Sequence, residues 1–178
     1  MMEHGEAMME EGEKMMKDGE VMMEEGDTMK KEGEAMMGKE DGAMMESSYQ
    51  GELLGGTKDI PLLDFNTEDY EKAIAEGKLV ALFFYANWCP TCREEFPKMV
   101  EAFNALPALS SVQVKDVVGF RVNYNDNQTD SYEKELAREF GVAYQHTKVF
   151  VKDGERILKA PDSWSTMKKY ITEIRNAL

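Results

Sequence analysis

The chain has 178 residues, room for one domain of ordinary size or a small domain with an appendage. Its 35 acidic and 21 basic side chains leave a net charge of −14, which argues against nucleic acid or an anionic membrane as a partner. No apolar run approaches the ~18 residues of a membrane helix, so no membrane span is expected.

The first 46 residues repeat with a period of seven. Met1, Met8, Met15, Met22, Met29 and Met36 form one series and Met2, Met9, Met16, Met23 and Met37 a second. Gly5, Gly12, Gly19, Gly26 and Gly33 follow at the same spacing. On a helical wheel of about 100° per residue each glycine falls between the two methionine columns, with Glu and Lys opposite. The glycines each cost about 1 kcal/mol against alanine in a helix interior. A conditional helix or a disordered tail is therefore expected over 1–46. Segment 1–46 also holds 15 acidic and 5 basic residues, so most of the negative charge sits there. Soft-metal capture by thioether sulfur, self-association through the methionine face, partner binding and a plain solvated tail all remain open for it. A linker is expected over 47–58 and a globular domain over 59–178.

From Ile60 the pattern changes. Ile60–Phe65 predicts a short strand, and Thr67–Glu76 a helix with Thr67 as its cap. Leu79–Tyr85 is a near-continuous apolar run, hence a central strand covered on both faces. Pro90–Ala105 predicts a helix with a kink at Pro97. Val117–Tyr124 follows as a strand, then Ser131–Phe140 as a helix stopped by Gly141. Lys148–Val151 and Arg156–Lys159 flank Asp153-Gly154, a hairpin signal, and Ser163–Ala177 closes the chain as a helix. This order implies an α/β domain, a mixed central sheet with helices on both faces.

Both cysteines of the chain lie in Trp88-Cys89-Pro90-Thr91-Cys92, between the central strand and the helix after it. Thiolate is the reactive form of cysteine, and a helix N-terminus stabilises it through its unpaired N–H groups. Dithiol–disulfide exchange is the chemistry this spacing invites. Pro90 suits a first helical position and leaves Cys89 near the exposed helix start as the nucleophile. Cys92, one turn in, is then the resolving thiol. An inert pair of buried thiols is the plainer alternative.

The element order and the Trp-Cys-Pro-Thr-Cys motif resemble the thioredoxin superfamily, across roughly residues 58–178. Pro97 stands where these proteins kink the active-site helix. Phe140-Gly141-Val142 and Val149 to Gly154 resemble the stretch around the substrate-binding loop and the next hairpin. The Cys-Pro-Thr-Cys pair is similar to that of some membrane-attached reductases of cytochrome c maturation. The resemblance implies a thioredoxin-like three-layer fold and a thiol–disulfide oxidoreductase acting, in the reducing direction, on protein disulfides. It implies no dissociable cofactor, only the redox-active disulfide, with electrons from a donor protein. Trp88, Pro90, Thr91, Gln145, His146 and Thr147 would contact substrate. Arg121, near where the family often has a lysine, would favour the thiolate or be a solvated charge.

Two positions depart from the pattern. His146 stands where the family has a cis-proline, so the Gln145–His146 bond is expected to be trans. Phe83 stands where the family often has a buried carboxylate, which shifts proton acceptance to water, His146 or Glu95. His146 itself admits three readings: a polar wall that tunes the thiolate, a metal ligand with Cys89 and Cys92, or a tolerated replacement. The second makes the chain a Cu(I)-handling module as the alternative to an oxidoreductase. With Met1 as the true start a cytoplasmic protein is expected, and with a processed chain an extracytoplasmic one.

Overall fold

The structure is a computed structural model that describes residues 49–109 and 116–178. The heptad-repeat segment lies outside the described residues, and so does every expectation about it. In chain order the elements are β1 (Leu53–Gly56), β2 (Pro61–Asp64), α1 (Thr67–Ala75), β3 (Leu79–Tyr85), α2 (Pro90–Ala105), a 3-10 turn (Leu106–Ala108), β4 (Val117–Asn123), α3 (Ser131–Glu139), β5 (Lys148–Lys152), β6 (Glu155–Ala160) and α4 (Met167–Ala177). The strands form one sheet in the order β1-β2-β4-β3-β5-β6. β2, β4 and β3 run parallel, while β1, β5 and β6 pair antiparallel at the two sides. This is the expected mixed α/β sheet.

Period-two alternation on β3 builds the three layers. Leu79, Ala81 and Phe83 face one core together with Met99 and Phe103 of α2 and Tyr170 and Ile174 of α4. Val80, Leu82 and Phe84 face the other, against Ala73 of α1 and Leu136 and Ala137 of α3. Both faces are covered, which is why the strand reads as a continuous apolar run. Gly119 of β4 lets α2 lie close, because a Cβ there would sit 2.5 Å from the Phe103 ring. The Asp153-Gly154 turn has φ of 52° and 77°, the left-handed pair a two-residue hairpin needs.

Some boundaries differ from the sequence reading. Leu53–Gly56, expected as linker, is an edge strand on β2, with Leu53 opposite Leu63 and Gly56 opposite Pro61. Its glycines read as linker but serve contact: Gly55 lies against Val100, and the Gly56 N–H donates to Asn104 Oδ1 at 2.7 Å. The cap of α1 is Asn66 rather than Thr67, its side chain accepting from the Asp69 N–H. The final helix starts at Met167, not Ser163. The Trp164 N–H is held at 2.9 Å by Glu95 Oε1, so the chain enters the helix only after Thr166 caps it. Helix α2 has the bounds expected of it, and it runs through Pro97 as one element where an interruption was expected.

Candidate active site

The carboxyl end of β3 and the amino end of α2 bring the two cysteines together. After Tyr85 the chain turns through Ala86, Asn87 and Trp88, with the Cys89 N–H donating to the Ala86 carbonyl at 3.1 Å. Cys89 is the N-cap of α2, with φ −79° and ψ 116°, and Pro90 takes the first helical position. The Cys92 N–H donates to Cys89 Sγ at 3.2 Å. One orphan donor of the helix start is thus aimed at the Cys89 sulfur, a placement that suits an anion.

Cys89 is less open than the sequence implied. It is 3 % exposed and Cys92 is fully buried. The Cys89 sulfur turns inward over the helix start to accept the Cys92 N–H instead of pointing to solvent. Burial, and then the hydrogen bond with Cys89, push the Cys92 thiol up to about 12. Both sulfurs thus sit in one core, Cys89 at the helix cap and Cys92 one turn in.

Trp88 is 50 % exposed, which excludes a plain core role, and its indole N–H donates to the Asn125 carbonyl at 2.9 Å. Pro90 is exposed beside it and Thr91 half-buried. Across from Cys92, the Gln145–His146 bond is trans, as expected from the missing proline. His146 has φ 57°, a left-handed conformation uncommon outside glycine. Two bonds hold it there: its N–H donates to the Phe84 carbonyl at 2.6 Å, and its carbonyl accepts from Lys148 Nζ at 2.8 Å. Its Nδ1 is buried without a hydrogen-bond partner among the described residues. Cys89 Sγ, Cys92 Sγ and a His146 ring nitrogen all lie within 4.8 Å of one another. Gln145 is half-buried next to it, whereas Thr147 is buried with its hydroxyl donating to the Tyr144 carbonyl at 2.7 Å. The Thr147 side chain is therefore turned away from solvent and braces the loop.

One electrostatic expectation is corrected. Arg121 does not serve the thiols: its Nε pairs with Asp64 Oδ1 at 3.0 Å, and its guanidinium lies over the rings of Tyr85 and Phe96. The cation at this site is Lys148. It stands opposite Phe83 in the β3–β5 register, fully buried, with Nζ on Glu95 Oε2 at 2.9 Å and on the Asp162 carbonyl at 2.6 Å. Glu95 in turn accepts the Trp164 N–H. Phe83 leaves no carboxylate on the central strand, and the buried acid sits instead on α2, three residues after Cys92. Burial pushes the Lys148 ammonium below its ordinary range, while Glu95 and then the Cys92 sulfur counter that effect.

The sequence reading placed Lys148 only as the start of a strand. The missed signal is its period-two relation to Phe150, which puts it on the cysteine face. Tyr144 was also passed over, although it is a large exposed aromatic on the loop leading to His146.

A protein-family model described as "Thioredoxin" matches residues 61–173. Thioredoxin H4 of Arabidopsis thaliana is 33 % identical over 96 residues, covering 54 % of this chain and 70 % of that protein. Thioredoxin-2 of Pyricularia oryzae is 33 % identical over 92 residues, covering 52 % of this chain and 46 % of that protein, so the chain spans less than half of that relative. A solved thioredoxin from Aeropyrum pernix aligns at 19 % identity with a TM-score of 0.48, covering 64 % of this chain and 85 % of that one.

Proposed function

The chain belongs to the thioredoxin family, and on that premise we propose that it is a thiol–disulfide oxidoreductase that reduces protein disulfides through Cys89 and Cys92. Cys89 Sγ, held as the cap of α2 with Cys92 one turn behind it, is the observation that carries this reading. As a thiolate, Cys89 attacks one sulfur of a substrate disulfide. The substrate S–S bond breaks, a mixed disulfide forms, and the departing sulfur takes a proton from solvent. Cys92 then loses its proton and attacks Cys89 Sγ. The substrate leaves as a dithiol, and its two electrons have come from the Cys89–Cys92 pair, now a disulfide. A donor protein with its own dithiol returns the electrons.

The second step is the demanding one, because burial holds Cys92 protonated. Lys148 acts here as a positioning residue: its buried ammonium stabilises the Cys92 thiolate as it forms, and its bond to the His146 carbonyl fixes the facing loop. Trp88, Pro90, Thr91, Gln145 and His146 form the surface on which a substrate segment lies, with Thr147 as its brace.

Insulin reduction with dithiothreitol tests the reading. The native chain should accelerate precipitation and Cys89→Ser should not; equal rates would remove the enzymatic claim. Direction is read from the midpoint potential. A value near the about −270 mV of a thioredoxin supports reduction, and one near about −120 mV would make the pair an oxidant.

A further inference from the structure

We propose that Cys89, Cys92 and His146 form a site for one soft monovalent ion, Cu(I) in chemical class, in the reduced protein. The site goes beyond dithiol exchange, although it uses the same sulfurs. Its donor atoms already lie within 4.8 Å of one another, so ligation needs only small side-chain movements. The His146 ring brings a buried Nδ1 that no described group satisfies. A buried polar atom left unpaired is costly, and the ring that carries it supplies the nitrogen donor of the cluster. The left-handed backbone at His146, pinned by Phe84 on one side and Lys148 on the other, holds the ring over the cysteines.

The choice of ion follows from donor type, donor number and charge. Thiolate and imidazole are ligands for Cu(I) and Zn(II) rather than for hard cations. Structural zinc takes four protein ligands and three-ligand zinc a water in the fourth place, whereas the cluster offers three donors, two of them on buried cysteines. Glu95, the nearest buried carboxylate to Cys92 in sequence, is engaged by Lys148 and the Trp164 N–H. A three-donor set of two sulfurs and one nitrogen suits Cu(I). Two thiolates and one monovalent cation leave a single negative charge in the core, beside a Lys148 ammonium that Glu95 already pairs.

Binding moves no electrons. Each thiol releases a proton to solvent as its sulfur joins the ion. Oxidation of the unoccupied pair by a substrate disulfide, which is reduced to a dithiol, removes both thiolate donors, so the oxidised protein does not take the ion. Occupancy in turn blocks nucleophilic attack by Cys89.

The experiment uses the full chain, reduced and anaerobic, titrated with Cu(I) against a chromogenic chelator. It compares the parent, His146→Ala, His146→Asn and the disulfide form. Asparagine tolerates the left-handed backbone, so His146→Asn decides the matter if the alanine variant does not fold. The methionines of the N-terminal segment are present in every sample, and a thiolate-to-metal charge-transfer band reports the cysteines alone. In the reduced parent this band should saturate at one equivalent. Loss of an outer partner of a metal ligand already costs about 10–100-fold in affinity, so loss of His146 should weaken binding by about tenfold or more. The disulfide form should show no band. A folded His146 variant that binds as tightly as the parent, or the same band in the disulfide form, overturns the site. Insulin turnover by the parent is unaffected by either result, so this proposal and the oxidoreductase reading fail separately.

Discussion

At the scale of single residues, Phe83 on the central strand and the buried Glu95–Lys148 pair beside it belong together. A buried ion pair is held in place by the cost of exposing either member alone. Lys148→Met leaves Glu95 buried without its cation, and Glu95→Gln leaves Lys148 without its anion. Each should cost about 3–5 kcal/mol in urea unfolding. The double variant Lys148→Met/Glu95→Leu should cost clearly less than the sum; additive losses would show that the two do not act as a pair. Lys148→Met should also slow the resolving step, seen as mixed disulfide accumulating with a chromogenic disulfide substrate. Resolution at the parent rate would leave Lys148 a purely structural cation. Glu95 was legible as a candidate proton acceptor because it lies three residues past Cys92 on a helix. Lys148 was not, because its partner is 53 positions away in the chain.

At the scale of elements, the caps account for several boundaries. Helix α3 opens with Asp130 accepting the Glu133 N–H at 2.8 Å while Glu133 Oε2 accepts the Asp130 N–H at 2.9 Å, a reciprocal capping box. Asp130→Ala should cost about 1 kcal/mol in thermal or urea unfolding. Glu133 is nearly buried, and burial pushes its carboxyl above the usual range despite backbone donors from Asp130 and Asn123 that oppose the shift. A carboxyl raised on folding contributes stability that is whole below its unfolded pKa of about 4.3 and is lost as pH climbs through the raised value. The stability of the parent relative to Glu133→Gln should therefore be greatest near pH 4 and shrink towards pH 7. A gap that widens with pH would contradict this environment. The helices and strands from β2 to β6 were readable because each joins an apolar period to a stop signal such as Gly141 or Asp153-Gly154. β1 was not, since its glycines look like linker until Val100 and Asn104 of α2 are seen against them.

Across the whole molecule the sheet divides the core into a face that carries the thiols and a face that does not. Phe83 and Phe84 are neighbours on β3, both fully buried, and they point to opposite cores. Phe83→Leu and Phe84→Leu should each cost about 1–3 kcal/mol. Only Phe83→Leu should change the alkylation rate of Cys92 in the folded protein, because only that side chain packs in the core of the cysteines. Equal effects on alkylation would mean that the faces are coupled through the sheet.

Linear order alone was enough to place the dithiol between a strand and a helix, to imply a mixed sheet and to mark positions 83 and 146 as unusual. The first two rest on local chemistry, the apolar period, cap and turn residues and the spacing of two sulfurs, and the third on the resemblance to the thioredoxin superfamily. Packing in three dimensions set the burial of Cys89, turned Arg121 to Asp64, and brought Lys148, Glu95 and His146 around Cys92. The reason is physical: burial and charge pairing depend on side chains that meet across the sheet from distant parts of the chain, and no local pattern records those meetings.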